Sequence, residues 1–182
     1  MTITDFYLYL VYGFSMISMG IFAILQKDSK VRDFSLIRSL RYLGFFGIIH
    51  GLSEWNTLII KLELCHPYLI TEVYYTNVLL KALSFSFLWH FGLDLLPVRD
   101  KHRRILLGIP WLSLTLYMLG FYMLILKFGP DYHFLNRSFN IITIRYFMAL
   151  PSCLTAAVAL YLNARSIEKS NSRKIARRYR NL

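Results

Sequence analysis

The sequence predicts an all-α, polytopic membrane protein: a bundle of five transmembrane helices, N-terminus outside and C-terminus cytoplasmic. Three observations predict it. The 182 residues are 56% hydrophobic, with a mean hydropathy of +0.45. Only 17% are charged, against about a quarter in an ordinary soluble domain. The charge is also lopsided, 21 Lys+Arg against 10 Asp+Glu, for a formal net of +11. A disordered basic chain would be poor in aromatics, yet Phe, Tyr and Trp make up 16%. A basic nucleic-acid-binding domain would not carry apolar runs of about twenty residues, and a soluble globule could not cover them.

Each expected span follows from such a run, long enough to cross about 30 Å of hydrocarbon as a helix. The first, residues 6–25, carries no charge. No Lys or Arg precedes it and no small-x-small site follows, so it reads as a retained helix rather than a cleaved signal. The second, 36–60, has Arg38 and Arg41 at its start and His50 and Glu54 inside. The third, 72–96, contains Lys81, His90 and Asp94. The fourth, 105–126, is uncharged but includes Pro110, and the fifth, 139–162, contains Arg145 and a kink expected at Pro151. Uniform apolarity, without the alternation of a barrel strand, favours helices. Residues 1–163 thus read as one membrane domain and 164–182 as a basic juxtamembrane tail.

The loops set the orientation. Sixteen of the 21 basic residues fall in the loops after spans one and three and in the tail. Lys61, Lys127 and Arg137 alone lie on the opposite side. By the positive-inside rule, the basic side is cytoplasmic. The tail has the composition of a segment drawn to anionic lipid. Tyrosines at 7, 9, 12, 68, 74, 75 and 132 cluster at the outer interface, as an aromatic belt would.

Ionisable groups within spans are costly and mark candidate sites. Glu54, Lys81 and Arg145 come from three spans at similar depth, roughly 9–14 Å below the outer surface by helix rise. Gly47, His50, Gly51 and Glu54 share one helix face by their i, i+3, i+4, i+7 spacing. The two glycines would admit a close neighbouring helix. One reading of His50, Glu54, Lys81 and Arg145 is a structural ion cluster that fixes helix order. The other is an outward-facing pocket, lined by Trp55, that senses an anionic or polar ligand or a proton. A second cluster, Arg38 and Arg41 with His90 and Asp94, lies within about two turns of the inner boundary, where snorkelling alone would explain it.

No catalytic constellation, phosphate loop or paired catalytic carboxylates occur. Cys65 and Cys153 stand in no zinc or disulfide pattern, and no metal site is expected. Haem is disfavoured because His50 and His90 differ in depth by roughly 12 Å, whereas axial ligands must meet at one iron.

The run FFGIIHGLSEW, Phe45 to Trp55, follows YGFSMISMGIFAIL, Tyr12 to Leu25, and a basic loop. This order, with F-G-x-x-H-G-x-x-E-W in the second span, resembles the multi-span N-terminal membrane region of bacterial sensor histidine kinases and diguanylate cyclases. RKIARRYR, Arg173 to Arg180, resembles the basic link that leads onward in such proteins. The likeness covers the whole chain loosely, and its specific residues are Phe46, Gly47, His50, Gly51, Glu54 and Trp55. It implies a non-catalytic sensory domain in the bacterial inner membrane, homodimeric, passing its state to a cytoplasmic signalling module or partner. No phosphoacceptor-histidine, ATP-binding or GGDEF-like module occurs in these residues, so the chain is expected to be a truncated sensor region or a stand-alone relative. The alternatives are a small transporter or channel subunit, and a membrane scaffold or assembly protein.

Overall fold

The computed structural model describes residues 3–26, 35–64, 66–98, 100–129 and 137–180, and every regular element among them is helical. The helices are α1 (Ile3–Leu25), α2 (Ser35–Lys61), α3 (Pro67–Leu95) and α4 (Asp100–Phe128). A fifth begins as α5 (Arg137–Ile144), widens into a π-helical turn (Arg145–Ala149) and continues as α6 (Leu150–Arg180). All five expected spans therefore lie on helices, each reaching beyond at least one of its expected bounds.

Four helices are long and apolar enough to cross a membrane: Ile3–Leu25, Leu69–Leu95, His102–Phe128 and Ser138–Ser166. The fourfold count departs from the five expected, and α2 is the exception. It carries Arg38, Arg41, Glu54 and Lys61. The reason lies in the packing, because α1 covers one flank of α2 and α3 the other. A helix enclosed in this way need not present an apolar surface all round.

The helix ends follow from local chemistry. Pro67 opens α3 at a position where its missing N–H costs nothing. Gly129, with φ 83°, closes α4 in the left-handed conformation that glycine adopts freely, and its N–H donates to the Ile125 carbonyl. Pro151 cannot donate to the carbonyl four residues back, and the π turn just ahead of it absorbs the mismatch without breaking the helix.

Helix α3 is the centre, packed against α2, α4 and α6. Phe91, Leu95, Leu88 and Phe46 meet Ala156 and Ala159 of α6. A Cβ on Gly92 would stand 2.7 Å from the Ala156 nitrogen, so that crossing requires glycine. Towards the other end, Tyr74, Val78 and Ala82 of α3 bury Tyr117 and Phe121 of α4 with Ile144 and Met148. Below Asn163, α6 runs on as one helix to Arg180, so the segment expected as a tail is helical over its described length.

The tightest contact joins α1 to α2 through glycines on both. A Cβ on Gly20 would lie 2.6 Å from the Gly44 oxygen, and one on Gly47 would lie 2.7 Å from the Met16 oxygen. Gly51 meets the Gly13 oxygen in the same way, at 2.6 Å. Backbone atoms cannot swing aside as a side chain can. Gly20→Ala should therefore push the helices apart and cost about 1–3 kcal/mol, the usual range for overpacking. Gly108 is the control, because a Cβ there meets nothing within 4 Å. Thermal unfolding in detergent should show a lower midpoint for Gly20→Ala and an unchanged or higher one for Gly108→Ala.

Candidate functional site

Helices α2 and α3 face each other along a seam of polar side chains. At its upper end, beside the α2–α3 connection, Asn56 Nδ2 donates to the Val73 carbonyl and Asn77 Nδ2 to Thr57 Oγ1, at 3.2 and 3.0 Å. Next come Glu54, His50, Lys81 and Ser84. Near the lower end lie Tyr42, His90, Ser39 and Asp94. Bonds of this kind satisfy polar groups that would otherwise face an apolar medium unpaired.

The upper charged group is built around Glu54. Its Oε1 lies 3.8 Å from His50 Nε2, one turn back on α2, and 3.6 Å from Lys81 Nζ on α3. The Ser84 hydroxyl donates its one proton to the Lys81 carbonyl, at 2.8 Å. Its oxygen therefore accepts from His50 Nδ1, at 3.1 Å, and this turns Nε2 towards Glu54. Tyr12 of α1, Phe46 of α2 and Phe85 of α3 wall the imidazole, with ring centroids 6.1, 5.3 and 5.3 Å away. His50 is buried, Glu54 has a side-chain exposure of 12% and Lys81 of 23%. Both contacts to Glu54 are within ion-pair reach but longer than a hydrogen bond.

The lower group is tighter. Arg103 Nη2 of α4 donates to Asp94 Oδ1 at 2.5 Å, and the Ser39 hydroxyl donates to Asp94 Oδ2 at 2.6 Å. Trp111 Nε1 donates to His90 Nδ1 at 3.2 Å, and the Tyr42 ring lies 4.3 Å from that imidazole. Asp94 is buried, so this is a carboxylate locked between three helices rather than a charge snorkelling to the surface. The expected snorkelling thus gives way to an internal pair for Asp94.

Several sequence-derived placements change. His50, Glu54 and Lys81 are brought together, but Arg145 is not: it is exposed at the start of the π turn, and among the described residues it pairs with no carboxylate. Its depth matched, but the direction of its helix face did not. Trp55 does not line the Glu54 group. It lies over Gly13 and donates Nε1–H to the Leu10 carbonyl at 3.3 Å. Gly47 and Gly51 turn to α1 while His50 and Glu54 turn to α3, so the shared face is divided between two neighbours. Arg41 is exposed beside the Tyr42 ring, 5.3 Å from its centroid, and the side chain of Arg38 lies outside the described residues.

Sequence reasoning missed Ser84, Ser39, Trp111 and Arg103. Arg103 was counted only as a loop charge, although its position nine residues after Asp94 allows it to fold back across the α3–α4 turn. Among the described residues no three His, Cys, Asp or Glu side chains converge as metal ligands. No protein-family model matches the chain, and no curated protein or solved structure matches it either.

The two ion pairs differ in closeness, and the difference is measurable. Double-mutant cycles should give Asp94 with Arg103 a coupling towards the upper part of the roughly 0.5–3 kcal/mol range for interacting residues. Glu54 with Lys81 should fall towards the lower part. Cycles through Asp94→Asn and Arg103→Gln, and through Glu54→Gln and Lys81→Met, read this from unfolding in detergent. Equal couplings would remove the distinction.

Proposed function

We propose that the chain is the non-catalytic sensory membrane domain of a bacterial signal-transduction receptor of the histidine kinase or diguanylate cyclase type. It sits in the inner membrane with all five helices spanning, N-terminus outside and C-terminus in the cytoplasm. The enclosed α2 is the fifth span, with Glu54 turned to Lys81 of α3 and Lys61 to Tyr9 of α1. The supporting observation is the open spacing around Glu54. Asp94 and Arg103, by contrast, close to hydrogen-bonding distance. The Glu54, His50 and Lys81 group instead keeps gaps of 3.6 and 3.8 Å. Binding a polar ligand or a proton there changes the balance between one carboxylate and two basic groups, and so the packing of α2 on α3.

Helix α3 carries that change downward. Its last carbonyl, that of Leu95, accepts from Asn163 Nδ2 at 2.8 Å. The end of α3 is thereby tied to α6, which continues as helix to Arg180. A homodimer and a cytoplasmic module or partner complete the pathway, and the basic segment meets anionic lipid.

The rival transporter reading needs a continuous polar path between the two groups of the seam. Phenylalanines interrupt it: Phe46 and Phe85 lie 6.3 Å apart, on the His90 side of His50. Two measurements test the reading. In a background with Cys65→Ser and Cys153→Ser, a membrane-impermeant thiol reagent applied from outside should modify cysteine placed at Asn77 but not at His90, whereas modification at both would favour a conduit. Hydrogen exchange in residues 164–180 should change at least threefold in Glu54→Gln, which mimics protonation. Unchanged exchange, with wild-type thermal stability, would overturn the coupling.

A further inference from the structure

Helix α4 packs on α3 and makes no extended contact with the fifth helix. An open groove of about 570 Å³ separates the two. Leu116, Phe121 and Leu124 form the α4 wall, and Phe139, Thr143 and Phe147 the opposite one. Leu116, Met123, Phe139 and Phe147 are 52, 58, 53 and 45% exposed, so the groove opens sideways. Gly120 lies midway along it, and a Cβ there would meet nothing within 4 Å. Lys127, in the last turn of α4, also lines it.

We infer that this groove holds one acyl chain of an anionic phospholipid, with the lipid phosphate at Lys127. Three observations carry the assignment. From Leu116 to Lys127 the groove follows α4 for roughly 16 Å at 1.5 Å per residue. That is close to half of a hydrocarbon core about 30 Å thick, the depth of a single leaflet. The lining is mostly apolar along this length, with Tyr117, Asn140 and Thr143 its polar members besides Lys127, and its volume lies within the range of ligand-holding clefts. The one charged side chain in the lining is a cation at one end, the arrangement that complements a single anionic head above an apolar tail. The π turn contributes Phe147 to the wall, so the local widening of the fifth helix is part of the groove's shape.

The inference is independent of the Glu54 group. The test is native mass spectrometry of the full chain in mild detergent, with phosphatidylglycerol and phosphatidylcholine of equal chain length added in turn. The wild type should retain one phosphatidylglycerol in clear preference to phosphatidylcholine. Gly120→Phe puts a ring into the groove and should cut retention at least tenfold. Gly120→Leu is the milder variant should the ring disturb folding, judged by far-ultraviolet circular dichroism. Lys127→Ala should keep chain binding but lose the headgroup preference, and Glu54→Gln should leave both unchanged. Equal retention of both lipids by the wild type, or wild-type retention in the groove-filled variants, overturns the inference. A change of oligomeric mass in Gly120→Phe without loss of lipid overturns it as well, since the occupant would then be a second copy of the chain.

Discussion

Glu54 lies beside His50 of its own helix and Lys81 of α3, in a seam of polar side chains along which α2 faces α3. Ionised groups are tolerated in an apolar medium only when turned towards partners. On α2 the charged and hydroxyl positions 39, 50, 54 and 57 therefore need a polar neighbour, and α3 supplies it with Asn77, Lys81, Ser84 and Asp94. Once α3 occupies that side, Gly44, Gly47 and Gly51 remain for α1. Close backbone approach through small residues is how helices gain contact where burial itself contributes little. The order α1, α2, α3 is thus set by which residues α2 can expose, and α4 and the fifth helix add to the free sides of α3.

Division of the seam into two groups gives α3 different constraints at its two levels. At the lower level, Asp94 ties α3 to Ser39 of α2 and Arg103 of α4, while His90 accepts from Trp111. A buried pair held this closely resists separation, because either partner alone would be left as a desolvated charge. At the upper level, Glu54 meets His50 and Lys81 only at 3.8 and 3.6 Å, beyond hydrogen-bonding distance. Between the levels Phe46 packs against Phe85, which puts apolar rings between the two polar groups. A closely paired lower level and a more loosely paired upper one make α3 a lever in the proposed sensor, with its pivot near Asp94.

What could be read from the sequence follows from which physical quantities a sequence contains. Helical character and approximate span positions were legible because apolar runs of this length leave few alternatives. The i, i+4 relation of His50 and Glu54 was legible because it is internal to one helix, and Lys81 was added correctly from depth. Arg145 was not, because depth along the axis says nothing about rotation around it. A helix that is apolar on most sides gives no azimuth, and the π turn beginning at Arg145 shifts the register of everything after it. Asp94 with Arg103 escaped for another reason. The basic loop residues carried the topological argument collectively, so the single one that folds back into the bundle was not distinguished. Trp55 was read with its sequence neighbour Glu54, yet adjacent residues on a helix point about 100° apart. In α2, composition alone could not show that Glu54 faces a neighbouring helix, because which side of a helix a charge occupies depends on its packing.

The same reasoning separates the two halves of the fifth helix. In α6, Ser152, Ala156 and Ala159 are buried, and Gly92 lets that stretch lie directly on the α3 backbone. Above the π turn, α5 has exposed Phe139, Ile141 and Ile142, and its buried Asn140 donates to Tyr74 at 2.8 Å. The upper half thus touches α3 through fewer groups, and the groove beside α4 opens there. A π turn adds a residue to the helical repeat, and across it Asn140, Ile144 and Met148 stay in line with Ser152, Ala156 and Ala159, so one face of the fifth helix meets α3 both above and below the turn. Phe139, Thr143 and Phe147 lie off that face and line the groove beside α4. The widening ahead of Pro151 thus belongs to the element that keeps the fifth helix on α3 while its other side stays open towards α4.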